Sequence, residues 1–265
     1  MKVYISADIE GVNGTTVWDE TQKIHTDYPE FARQMTAEVK AACEGALAAG
    51  ATEIWVKDAH GSGRNVIASE LPEEAVLIRG WARHPYSMMQ GIDASFQAAM
   101  MIGYHASADS GGNPLSHTIN GKSVFIRMNG LTVSEFLLNA YTAEMNGVPV
   151  VYVSGDESIC RDASVLNPLI KTSSVKMGVG GSTINLNPKR ILHLIRESTE
   201  NVLIGDLNLH RFKLPESYQM EIRFKEHPMA YHASFYPGVE LTNPYTICAQ
   251  YSDFFEVLRL LHFVL

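Results

Sequence analysis

Cysteine is scarce in this chain of 265 residues: Cys43, Cys160 and Cys248 are its three, and none sits in a C-x-x-C pair. Their odd number excludes a complete disulfide framework, and they read as buried, reduced thiols. Positive charge is also short, with 21 Lys and Arg against 29 Asp and Glu and a net charge of −8. No basic footprint is therefore available for nucleic acid or an anionic membrane surface. No apolar run approaches membrane-spanning length, and Asp8 and Glu10 interrupt the N-terminal segment where a secretory signal would need its apolar stretch. Internal repeats and low-complexity segments are missing too, which argues against a solenoid. Together these absences predict a cytoplasmic protein that acts on a small molecule or peptide, with neither nucleic acid nor membrane as partner.

Hydrophobic residues make up 46% of the chain and charged ones 19%, proportions of an ordinary globular protein able to bury a sizeable core. Near the N-terminus Val3, Ile5 and Ala7 alternate with Tyr4, Ser6 and Asp8, the period of a strand. Good helix formers follow from Phe31 to Ala49 and stop at Gly50, a C′ candidate. T-E-I-W-V-K, E-A-V-L-I-R-G and A-A-M-M-I-G-Y read as further strands, with a short polar helix between the last two, around Pro85 to Ser95. Asn120-Gly121, flanked by S-H-T-I and K-S-V-F-I-R-M, is the strongest hairpin signal. A helix from Val133 to Met145, the strand V-P-V-V-Y-V-S, a helix after Asp156 and a strand near Thr172 to Met177 complete the alternation. The order predicts an α/β fold of three layers, a mostly parallel sheet with helices on both faces, over residues 1–188. Residues 189–265, ending in Y-Q-M-E-I-R-F, Y-T-I-C-A-Q-Y and the helix D-F-F-E-V-L-R-L-L-H-F, predict a smaller α+β domain.

Chemistry-bearing residues gather at strand ends. S-A-D-I-E-G places Asp8 and Glu10 two apart after the first strand, hence on one face if the strand persists. Such a pair repels itself unless a cation compensates it; taken alone it reads first as a turn in which the carboxylates accept from backbone amides. D-A-H-G puts Asp58 and His60 after the second strand, and G-Y-H-A puts His105 after the fourth. Ligands of open parallel sheets bind beyond the carboxyl ends of the strands, so these positions converge. An acid pair and two histidines at three such ends favour a metal site, because imidazole nitrogen and carboxylate oxygen suit zinc and its neighbours. Glu135, three residues after Thr132, has by spacing the pattern of a capping box. His117, in S-H-T-I, has by itself no reading beyond a half-buried strand histidine. Asp156, after another strand, reads as a helix cap, with recognition of a substrate amine as the alternative.

The segments S-A-D-I-E-G, D-A-H-G, G-Y-H-A, S-H and V-S-E-F-L-L-N-A-Y, in this order and at these separations, resemble the dimetal D-aminopeptidase family, whose members are often called dipeptide transport proteins. The resemblance runs from Met1 to about Pro188, includes V-S-G-D, and thins beyond. It implies two divalent metal ions, zinc by preference, held by Asp8, Glu10, His60, His105 and Glu135, with Asp8 as bridge and His117 as catalytic residue. Three carboxylates and a bridging hydroxide would neutralise the two cations. It implies hydrolysis of the N-terminal residue of short peptides, D-amino-acid-containing ones in particular, by a hydroxide that the two metals activate, inside a large ring-like homo-oligomer. His117 would donate a proton to the leaving amine or stabilise the oxyanion. Asp58, no ligand in the family pattern, is expected to accept a hydrogen bond from a metal-bound imidazole. The glycine-rich K-M-G-V-G-G-S-T departs from the family and puts the substrate pocket in question. A different dimetal hydrolase acting on amides or phosphoesters, and a non-catalytic dipeptide-binding protein, are the alternatives.

Overall fold

The structure, a computed structural model, describes residues 1–265. In chain order it comprises β1 (Lys2–Ala7), α1 (Tyr28–Ala48), β2 (Glu53–Asp58), β3 (Ala75–Ile78), β4 (Ala98–Tyr104), β5 (Ser123–Met128), β6 (Leu131–Thr132), α2 (Glu135–Met145), β7 (Val150–Asp156), α3 (Glu157–Leu166), β8 (Lys171–Val179), β9 (Ser182–Asn185), α4 (Pro188–Leu203), β10 (Tyr218–Phe224), α5 (His227–Ala233), β11 (Val239–Asn243), β12 (Thr246–Tyr251) and α6 (Phe254–Val264). No helix is long and apolar enough to cross a membrane.

A seven-stranded sheet in the order β3-β2-β1-β4-β7-β8-β9 forms the centre, parallel except for β9. Its central strands are buried on both faces, as parallel strands under helical layers must be. Val3, Ile5, Ile54, Met100 and Ile102 pack against α1 and α4 on one side. On the other side Tyr4, Met101 and Val153 pack against Phe136 and Ala140 of α2 and Ile159 of α3. This is the expected three-layer α/β fold. The end of α1 also matches expectation. Gly50 has φ +89°, its N–H bonds to Leu47 O at 2.9 Å, and Ala51 N–H bonds to Ala46 O at 2.9 Å, the paired bonds of a Schellman stop.

The second sheet is antiparallel, in the order β11-β12-β10-β5-β6. It draws β5 and β6 from the middle of the chain, so residues 189–265 do not build it alone, and α4 (Pro188–Leu203) leaves that segment to lie on α1. The hairpin expected at Asn120-Gly121 is replaced by one at Asn129-Gly130. Met128 pairs with Leu131, and the two intervening residues take φ 53° and 79°, the handedness that two-residue hairpins favour. Strand β5 pairs with β10 instead of Ser116–Ile119, because its inward residues Ile126 and Met128 join Met220, Ile222 and Ile247 in a third core. That core closes on α5, α6 and the far side of α2, through Leu138 and Tyr141. Between Pro85 and Ser95 the expected helix is only a 3-10 turn, Ser87–Met89.

Candidate metal centre

The sheet reverses its winding between β1 and β4: β2 and β3 succeed β1 on one side, and β4 and β7 follow on the other. Such a switch point opens a crevice at the carboxyl ends of the strands. Asp8 N–H continues the ladder to Ile102 O, and Gly11 N–H bonds to Gly103 O, both at 2.8 Å. The turn after β1 thus packs backbone against backbone on the end of β4. A Cβ on Gly11 would lie 1.7 Å from Tyr104 O; only glycine allows an approach that sets Asp8 and Glu10 beside His105.

Asp8, Glu10, His105 and Glu135 are all buried, while His60 and His117 are slightly exposed at a cavity of about 560 Å³. Glu10 Oε2 lies 3.0 Å and Asp8 Oδ1 3.4 Å from His60 Nδ1. Asp8 Oδ2 lies 3.5 Å and Glu135 Oε2 3.4 Å from His105 Nε2. The coordinating atoms of Asp8, Glu10 and His105 lie within 4.8 Å of one another, as do those of His105, His117 and Glu135. The two groups share His105, and Asp8 reaches both His60 through Oδ1 and His105 through Oδ2.

Both cluster histidines beside the acids are oriented by backbone carbonyls. His60 Nε2 bonds to Thr21 O at 2.9 Å, and His105 Nδ1 bonds to Ala106 O at 2.9 Å. This aims the remaining nitrogen of each ring at the carboxylates. His105 Nε2 is buried with no hydrogen-bond partner, and such an orphan between two carboxylate oxygens fits a metal ligand.

Burial of Asp8, with Glu10 and Glu135 nearby, raises its carboxyl well above the usual range. Glu10 and Glu135 are equally buried, yet the neighbouring imidazoles outweigh that burial; Glu10 is held well below the usual range and Glu135 at about 2. Burial opposes charge on His105, but Glu135, Asp8 and Glu10 prevail and push it up to about 10. A site whose acids hold a proton on a buried imidazole has the potential to hold metal cations in its place.

Helix α2 begins at Glu135 because Ser134 caps it: the Ser134 hydroxyl accepts from Leu137 N–H at 3.2 Å. Glu135 therefore stands at the first helical position, and the capping-box reading of its spacing does not hold. Its Oε1 accepts from Ile119 N–H at 2.7 Å. His117 lies inside the cluster, its ring stacked on His105 with centroids 4.4 Å apart and its Nε2 3.6 Å from Glu135 Oε1. Its Nδ1 bonds to Leu115 O at 2.8 Å, and the edge of Trp18 packs against it.

One expectation about the surroundings, for Asp58, is corrected, and another, the helix cap at Asp156, is met. Asp58 touches no imidazole; it accepts from the backbone of Asn65 and Val66 and from Asn65 Nδ2, and Asn65 Nδ2 also donates to His60 O. Asp58 thus shapes the loop that carries His60. Asp156 caps α3 through Ile159 N–H and accepts from Ala106 N–H and Asn113 Nδ2, away from the cavity. The glycine-rich segment is the β8–β9 turn, also outside the cavity, and it braces the loop after β1 through a 2.6 Å bond between Thr16 and Thr183.

Sequence reasoning missed Trp18, Trp81 and Arg83, which line the cavity, and Asn113 and Lys176, which both donate to Glu10 O. No local pattern marked them; even Lys176 shares its side of β8 with Thr172, Ser174 and Gly178.

A family model described as D-aminopeptidase matches residues 1–263, including the C-terminal part where the motif resemblance thins. A D-aminopeptidase of Bacillus subtilis (strain 168) is 31% identical over 261 residues, which cover 98% of this chain and 94% of that protein. A solved structure, described as the Zn-dependent D-aminopeptidase DppA from Bacillus subtilis, a self-compartmentalizing protease, aligns with a TM-score of 0.93 and 29% identity over 100% of this chain and 96% of its own.

Proposed function

The chain belongs to the D-aminopeptidase family, and from that premise we propose that it is a metallo-aminopeptidase that removes the N-terminal residue of short peptides containing D-amino acids. The observation that carries this reading is the shared Asp8, one oxygen toward His60 and the other toward His105. Asp8, Glu10 and His60 would hold one divalent cation, and Asp8, His105 and Glu135 a second, with zinc the metal suggested by the relative and by the donor set. When bound, the two cations supply Lewis acidity toward a peptide carbonyl and lower the pKa of water.

The remaining work falls to the chain's own groups. The Leu115 carbonyl fixes His117 Nδ1 and leaves Nε2 toward the reacting region. There it can stabilise a developing oxyanion by donating a hydrogen bond, or pass a proton to the leaving amine. Trp18 and Trp81 wall the cavity with apolar surface, and its volume of about 560 Å³ suits a short peptide over a folded chain. We further propose a ring-like homo-oligomer in the cytoplasm; the relative described as self-compartmentalizing supports the assembly.

The test is a panel of D- and L-configured aminoacyl peptides and of phosphoesters, assayed with metal-loaded and chelated enzyme, with metal content measured in parallel. Metal-dependent cleavage of D-aminoacyl peptides is the expected result. Turnover of phosphoesters alone would assign the site to a different hydrolase, and metal-independent peptide cleavage would overturn the metal reading.

A further inference from the structure

A second cavity, of about 440 Å³, opens beside the catalytic one and carries the opposite charge. Its rim bears Lys23, Arg33, Arg64 and Arg79, and no carboxylate lines it. All four cations are exposed, and none takes part in an ion pair, in a chain whose net charge is −8. Like charges gathered without partners repel one another and are retained at a cost in stability unless something neutralises them. The strain is visible at Lys23, whose ammonium is held below its usual range by burial and by Arg64 and Arg79. Asp58, whose charge acts on Lys23, is buried and already engaged by Asn65 and Val66.

The cluster is built by the fold and not by mobile tails. Lys23 lies in the β1–α1 connection, Arg64 in the β2–β3 connection and Arg79 directly after β3, while Arg33 comes from α1, so four separate segments deliver cations to one place. Lys23 is tied down, donating to Arg64 O. The buried floor is polar as well, with the Tyr28 hydroxyl donating to Asn65 Oδ1 at 2.8 Å. Helix α1, 21 residues long, starts at this pocket and lines it with Tyr28, Pro29, Ala32 and Arg33.

We propose that this pocket binds the phosphate group of a small molecule. Guanidinium groups match phosphate oxygens in pairs, and a dianion balances several cations better than a single carboxylate does. The loop His60–Val66 separates this pocket from the metal centre, so a ligand here and a peptide there occupy different sites.

Isothermal titration of the metal-loaded enzyme with inorganic phosphate, pyrophosphate, adenosine monophosphate and glucose 6-phosphate, against acetate and citrate, tests this. Phosphate can also meet the metals, so the same titrations are run on R64Q/R79Q, with metal content and peptide turnover measured. Phosphate-bearing probes should bind the wild type better than the carboxylates do, and at least tenfold more weakly to the variant, which keeps its metals and turnover. Preference for inorganic phosphate would make the free ion the ligand; preference for an ester would make it a phosphorylated metabolite. Unchanged affinity in the variant, equal binding of carboxylates, or no binding to the wild type would each overturn the proposal. K23Q, read the same way, gives an independent second variant.

Discussion

Asp8 turns Oδ1 to His60 Nδ1 at 3.4 Å and Oδ2 to His105 Nε2 at 3.5 Å, so one carboxylate addresses two imidazoles carried by different strands. Asp8→Asn keeps the shape and replaces one anionic oxygen by a donor. Metal content should fall below two per chain, and kcat/KM should drop by more than about 100-fold, since disturbing only the partners of metal ligands already costs about 10–100-fold. Elemental analysis beside steady-state kinetics reads both. Full metal content with wild-type turnover would remove Asp8 from the centre.

His117 stacks on His105 and holds its Nδ1 to a carbonyl. His117→Ala should retain both metals and the fold while kcat and kcat/KM fall together by about 10²–10⁴-fold, the range for a positioned acid–base group. A lower melting temperature with normal turnover of the folded fraction would mark it as structural.

Ser134 and Glu135 are adjacent, yet one caps a helix and the other faces the cluster. Ser134→Ala should cost about 1 kcal/mol of stability and leave the metals in place. Glu135→Gln should do the reverse, losing metal and activity with little change in unfolding. Denaturant melts and metal analysis on the pair separate the roles, and equal behaviour of the two would contradict the division.

Burial pushes the Glu38 carboxyl up from 4.5 to about 7, although Gln34 and Asn13 N–H bond to it. Between those values the folded chain holds a proton that the unfolded chain has released. Stability from this group is therefore complete below pH 4.5, falls as pH rises to about 7 and is level above, a change on the order of 3 kcal/mol. Glu38→Gln should abolish that slope. Urea unfolding of both proteins at pH 5 and pH 8 measures it; a wild-type minus variant difference that does not change with pH would refute the assignment.

Much of the centre was legible because its residues follow strands, and a parallel sheet gathers strand ends whatever their separation along the chain. Asp8, Glu10, His60 and His105 meet for that reason. The positions of His117 and Glu135 depend on how the second sheet docks, and no local pattern encodes docking. Asn120-Gly121 and Asn129-Gly130 carry the same turn signal; the burial of Ile126 and Met128 against β10 decides between them. Thr132 and Ser134 both offer a capping hydroxyl, and spacing alone does not rank them. Asp58 was legible as a polar residue beside the centre, but not its partners, because His60 turns Nε2 to the Thr21 carbonyl, an acceptor that every residue possesses.

Helix α2 rests on the main sheet through Phe136 and Ala140 and on the second sheet through Leu138 and Tyr141. During synthesis Asp8, Glu10, His60 and His105 leave the ribosome early, but α2 acquires its outer support only when β10 and β12 are made. The C-terminal strands thus brace the helix that carries Glu135, although they supply no carboxylate or imidazole to the cluster themselves.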